Sequence, residues 1–247
     1  METEEKPKVY YPEIRQVVET MYAIQNLRIQ AGNRVGAYER LGMNPDSVKT
    51  MHKWVDDKLA GFEDDLRDQV AKAVGDFVIY KTWMKRVKGI GPALSGSLLA
   101  GIGDISRFAN ISKLWRYCGQ AVIDGAAERR KIGEKIHYSP FMKTACYKIG
   151  KQFVMQGDYY RKVYDEAKGK LREQHPIPVD TGKKNKENKP IMHYSDGHID
   201  AMARRKTVKM FLADLWLAWR AQEGLSVSKP YAIDIMGHSG FREPEFP

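Results

Sequence analysis

A glycine hairpin that opens into a small-residue helix, Val87-Lys88-Gly89-Ile90-Gly91-Pro92-Ala93-Leu94-Ser95-Gly96, is the stretch of this chain best suited to chemistry. Gly89 and Gly91 permit the positive φ angles of a tight turn, and Ile90 can plug a core. Pro92 fits the first turn of a helix, where its missing N–H costs nothing. Backbone N–H groups at that helix start, around Gly91 and Ala93, then face outward beside the positive end of the helix dipole. They form a place for a nucleic-acid phosphate that needs no side-chain recognition. A Gly-x-Gly turn before a helix also occurs as a plain connector. The flanking cations Lys81, Lys85, Arg86 and Lys88 favour phosphate contact.

Two further basic groups could extend such a surface, Arg129-Arg130-Lys131 and Arg204-Arg205. Between residues 128 and 172 the cations interleave with Tyr138, Phe141, Tyr147, Phe153, Tyr159, Tyr160 and Tyr164. Such a pattern fits a base-stacking surface, and it fits equally a helix with an aromatic core stripe and a solvated basic face. Metal chemistry has little support. His193, Asp196 and His198 lie close in the chain, but no Cys/His set has the spacing of a closed zinc site, and no cofactor is implied. Asp56, Asp57, Asp64, Asp65 and Asp68 recur without an accompanying base or lysine, and with Lys58, Glu63 and Arg67 they read as the solvated face of a helix.

Charge separates the chain into two parts. Residues 1–80 carry 11 Lys/Arg against 14 Asp/Glu, whereas residues 81–247 carry 30 against 17, so the polyanion-binding surface is expected in the later part. With 43 % hydrophobic residues the 247-residue chain can bury a core. No apolar run is long enough to span a bilayer, and no membrane partner is expected. The acidic start, Met1-Glu2-Thr3-Glu4-Glu5, does not read as a secretory signal, which with two isolated cysteines, Cys118 and Cys146, favours a cytoplasmic protein with reduced, buried thiols.

The elements that must position these groups are helical. From Ile14, the residues Val17, Val18, Met21, Ile24 and Leu27 recur at helical spacing, as do Val48, Met51, Val55, Leu59, Phe62, Leu66, Val70 and Ala73. Gly42 and Asn44-Pro45 supply a stop and a restart between them. A long antiparallel, coiled-coil-like stalk over 1–76 follows, whose apolar stripe packs internally or zips to a second copy, with a homodimer favoured. A helix-hairpin-helix domain is expected over 77–222. There Gly103 ends the hairpin helix, Asn110 or Ser112 opens the next, Ser139 caps another, 176–197 is an exposed basic loop, and Ile199 to Arg220 is an amphipathic helix with a basic first half. Residues 223–247 read as an extended tail. The fold class is all-α.

Gly89-Ile90-Gly91-Pro92, then Leu98-Leu99-Ala100-Gly101-Ile102-Gly103-Asp104-Ile105-Ser106-Arg107-Phe108, then Lys113-Leu114-Trp115-Arg116-Tyr117-Cys118-Gly119 resemble the C-terminal domain of the IS one-ten / IS one-sixteen family of transposases. Ala201-Met202-Ala203-Arg204-Arg205-Lys206 is similar to the basic helix near that family's C-terminus. The resemblance implies an all-helical DNA-handling domain with a coiled-coil stalk, and in full-length relatives an oligomeric recombinase that uses a guide-like RNA. Those relatives carry an N-terminal carboxylate domain, for which there is no room before residue 45, and a serine nucleophile in the loop that here reads Gln120 to Arg130. Ala126 and Ala127 stand there and cannot attack a phosphodiester. The expectation is therefore a non-catalytic protein that binds duplex DNA, with RNA as the other polyanion. The alternative is a recombinase subunit that acts with a partner nuclease domain or a guide RNA, or through Ser139.

Overall fold

The computed structural model describes residues 11–43, 46–123, 125–130, 133, 135–185 and 187–227. The fold is all-α, with eight α-helices among the described residues and two small two-stranded antiparallel hairpins. The chain forms two compact units. One comprises the residues up to Lys81 together with Gly91–Asp104, and the other Thr82–Ile90 together with the residues from Ile105 on. The hairpin helix thus belongs with the stalk helices, and the chain passes between the units after Lys81, Ile90 and Asp104.

In the first unit, α1 (Pro12–Arg40) and α2 (Asp46–Gly75) run antiparallel, as the pairings Glu39 with Lys49, Arg28 with Asp56 and Gln25 with Glu63 require. Gly42, with φ +68°, ends α1 as its type and place predict; Asn44 and Pro45 lie outside the described residues. The predicted apolar stripes are buried only where the hairpin meets α4 (Pro92–Ile102), at Ile14, Val18, Met21 and Val70, and Val74, outside the predicted stripe, is buried with them. Gly96 on α4 makes this approach possible: a Cβ there would stand 2.9 Å from Val70 Cγ1 and 3.0 Å from Val18 Cγ2. Gly96→Val should accordingly lower stability by about 2 kcal/mol through overpacking, measurable as a reduced denaturation midpoint.

Glu63 departs from the solvated-face expectation. Its carboxylate is buried in the α1–α2 seam and accepts hydrogen bonds from Gln25 Nε2 at 2.8 Å, Arg28 Nε at 3.1 Å and Arg67 Nη2 at 2.9 Å.

In the second unit, α8 (Asp196–Gln222) is the central element, packed by α5 (Ile111–Tyr117), α6 (Pro140–Gln156) and α7 (Tyr159–Gln174). Its apolar positions bury Val208, Phe211, Leu212, Leu215, Trp216 and Trp219. Two indoles pin it: Trp216 Nε1 donates to the Phe108 carbonyl at 2.7 Å, and Trp115 Nε1 to the Lys209 carbonyl at 2.9 Å. Phe153, Tyr160 and Tyr164 are buried, so these predicted aromatics serve the core; Tyr160 Oη donates to the buried Asp214 Oδ2 at 2.8 Å. Cys118 and Cys146 are both free and buried.

The segment expected as a loop over 176–197 instead folds as an exposed hairpin of β3 (Val179–Lys184) and β4 (Pro190–His193), paired from Val179 opposite His193 to Lys184 opposite Pro190. Asn185 builds its turn by accepting from the Glu187 and Lys189 N–H groups at 2.9 Å each. A shorter hairpin joins β1 (Val122–Ile123) to β2 (Ala126–Ala127). Of the expected tail, residues 228–247 lie outside the described residues.

Candidate nucleic-acid interface

In the second unit the basic approach to the hairpin alternates between anchors and cations. Met84, Val87 and Ile90 are buried, while Lys85, Arg86 and Lys88 are exposed on the 3-10 turn Met84–Arg86 and the turn after it. The Ile90 N–H closes the turn on the Val87 carbonyl at 3.0 Å, and Gly89 holds φ +94° at its third position, the pattern of a type II turn. Glycine is required there twice over. Any side chain would be strained at that φ, and a Cβ would meet Gln156 Cγ at 3.2 Å. No ion pair engages Lys85, Arg86 or Lys88 among the described residues.

In the first unit Gly91 is the N-cap of α4, with φ −80° and ψ 179°. This corrects the expectation of a second positive φ: the backbone is extended, any residue can adopt it, and a Cβ at Gly91 would meet open space. No side chain caps the helix start, and Gly91 is exposed. Ala93, half-buried in the first turn, is among the residues whose N–H groups have no partner further back in the helix.

Arg204 and Arg205 adjoin in sequence but have separate surroundings, since successive helical residues lie about 100° apart. Arg204 is committed to Asp200, with Nε at 2.8 Å and Nη2 at 2.7 Å from Oδ2. Arg205 is half-buried and has no carboxylate partner among the described residues. It lies on one stripe of α8 with His198 and Lys209, seven and four residues away, on the same face of the helix. Burial, and then repulsion from Arg129, lowers the Arg205 pKa; burial and the Arg205 charge lower that of Lys209. Lys209 Nζ sits 4.0 Å above the Trp115 ring. The sequence places Lys209 in the basic first half of its helix without marking it as a site residue, and Trp115 fits a helix-packing pattern. Arg129 and Arg130 are exposed beyond β2, and Lys131 lies outside the described residues.

At the head of the same stripe, Tyr194 stacks on His175 at 3.6 Å between ring centres, and its N–H donates to His198 Nδ1 at 3.0 Å. Burial lowers the His198 pKa, with His193, Arg205, Arg129 and His175 adding repulsion. The bond from Tyr194 works in the same direction, because it occupies the nitrogen that protonation would need.

Ser139 is the N-cap of α6, where its Oγ accepts from the Met142 N–H at 3.3 Å. Asn110 caps α5 in the same manner through the Lys113 N–H at 3.0 Å. Among the described residues no group of three or more His, Cys, Asp or Glu is arranged to hold a metal ion, and no helix is long and apolar enough to cross a membrane. Comparison of the chain with protein-family models and with curated proteins finds no match in either.

Proposed function

We propose that this chain is a non-catalytic nucleic-acid-binding protein that grips duplex DNA without sequence preference, related to a transposase C-terminal domain. The observation that carries the reading is the exposed triplet Lys85, Arg86 and Lys88, free of ion pairs among the described residues and held by the buried Met84, Val87 and Ile90. Cations fixed by neighbouring anchors and not neutralised by acids are suited to phosphates. Arg129, Arg130 and Arg205 add charge within the same unit. The uncapped start of α4 supplies backbone donors of the kind anions occupy. The rival recombinase reading through Ser139 has less support, since that hydroxyl already caps α6.

Gly91→Asp separates binding from folding. Aspartate is a favoured N-cap, the extended backbone accepts it, and its Cβ meets open space, so the helix keeps or slightly gains stability. The new carboxylate faces any approaching phosphate. Titration of labelled duplexes should show affinity at least about tenfold weaker with an unchanged melting temperature; equal affinity would reject phosphate contact at the helix start.

A homodimer through the stalk belongs to the same reading. Met51, Trp54 and Phe62 share one face of α2 and are exposed, as are Leu27, Ile29 and Tyr38 on α1. Sedimentation should give twice the chain mass, and Met51→Glu with Trp54→Glu should return it to the monomer value. A wild-type monomer at micromolar concentration removes this part.

A further inference from the structure

We infer that the α8 stripe of Arg205 and Lys209, floored by Trp115, is a half-buried binding site for a phosphate group. This deepens the nucleic-acid reading, on which its biological ligand rests, but it concerns different residues from the hairpin.

Two cations one turn apart on α8, Arg205 and Lys209, have no carboxylate partner among the described residues, and the charge of Arg129, beyond β2, acts on Arg205. Three other arginines on the helices of this unit are paired. Arg204 pairs with Asp200, Arg161 with Asp165 and Arg172 with Asp196. Burial is the first cause of the lowered pKa of both Arg205 and Lys209, and a neighbouring positive charge adds to it in each case. A protein seldom keeps such a cluster for stability, because unpaired buried charge opposes folding.

Trp115 explains how Lys209 stays in place without an acid. Its Nε1 is tied to the Lys209 carbonyl at 2.9 Å, so the ring is fixed beneath the ammonium that sits 4.0 Å above it. The π face attracts the cation but accepts no strong hydrogen bond, which leaves the ammonium protons for an anion. Arg205 contributes a planar fork of donors one turn away. The ligand chemistry that fits is an oxyanion with several acceptor oxygens and more than one negative charge, namely phosphate. His198, at the N-terminal end of the stripe, senses it. Its pKa is lowered by burial and by the charges of His193, Arg205, Arg129 and His175, the Tyr194 N–H acts in the same direction, and an anion seated on Arg205 offsets that residue's charge.

The test uses the full chain with pyrophosphate as the probe. Saturating pyrophosphate should raise the melting temperature by about 3 °C or more, and that response should vanish in Arg205→Met/Lys209→Met. Without ligand the double variant should melt at or above the wild-type temperature, because repulsion is relieved. A lowered melting temperature without ligand, or an unchanged response to pyrophosphate, overturns the site. Independently of any variant, pyrophosphate should shift the His198 titration midpoint upward by NMR, and no shift overturns it as well. A 5′-phosphorylated oligonucleotide, the same strand with a 5′-hydroxyl and a free nucleoside triphosphate separate a nucleic-acid phosphate from a soluble one as the source. Gly91→Asp should retain the pyrophosphate response, so loss of the hairpin contact and loss of this site are told apart.

Discussion

Replacing Lys85, Arg86 and Lys88 together by glutamine should weaken duplex binding between about 10²- and 10³-fold at 0.1 M salt, and lower the slope of log affinity against log salt by about 2.7. The magnitude follows from counterion release, in which each phosphate neutralised contributes about 0.9 to the slope. Folding should be untouched, because all three side chains are exposed and the anchors Met84, Val87 and Ile90 remain. Glutamine is polar and uncharged, though shorter than lysine and arginine, so the salt slope reports the loss of charge. A salt slope unchanged from wild type would remove these residues from the interface, whatever happened to the affinity at one salt concentration. Gly89→Ala is the poorer probe of the same turn: at φ +94° with Gln156 Cγ 3.2 Å from the new Cβ, lost binding would not be separable from a disturbed backbone.

The all-helical plan was legible because periodicity and caps are local properties. The stripe from Val208 to Trp219 on α8 and the caps at Asn110, Ser139 and Gly103 can all be placed from residues within a few positions of one another. What stayed hidden depends on distant partners. Gly89 and Gly91 look alike in sequence, yet only the first has a positive φ, and the second is exchangeable as far as the fold is concerned. Arg204 and Arg205 also look alike, and only α8's rotation gives Asp200 to one and leaves the other without a carboxylate partner among the described residues. The β3–β4 hairpin carries no alternating apolar pattern, since nearly every residue in it is exposed and its register rests on backbone pairing and the Asn185 turn.

Glu63 illustrates the same limit with the largest stability consequence. In sequence it stands in an acidic run, Glu63-Asp64-Asp65, and reads as solvated; in the fold it is the acceptor for donors 38 and 35 residues away on the other helix. Glu63→Ala should destabilise the first unit by about 2–3 kcal/mol, seen as faster amide exchange throughout α1 and α2. The effect stays below the 3–5 kcal/mol or so typical of a broken buried ion pair, because Arg28 and Arg67 are 32 % and 46 % exposed and can rehydrate. Glu63→Gln should lie between the two, since the amide oxygen still accepts but the charge is gone. The apolar pair Glu63→Leu with Arg28→Met should recover much of the loss by letting the seam pack dry, so that a double variant more stable than Glu63→Ala identifies the penalty as unpaired donors rather than lost attraction. A loss under about 0.5 kcal/mol in Glu63→Ala would mean that water replaces the carboxylate, and that the apolar contacts of Val18, Met21 and Val70 alone hold the stalk together.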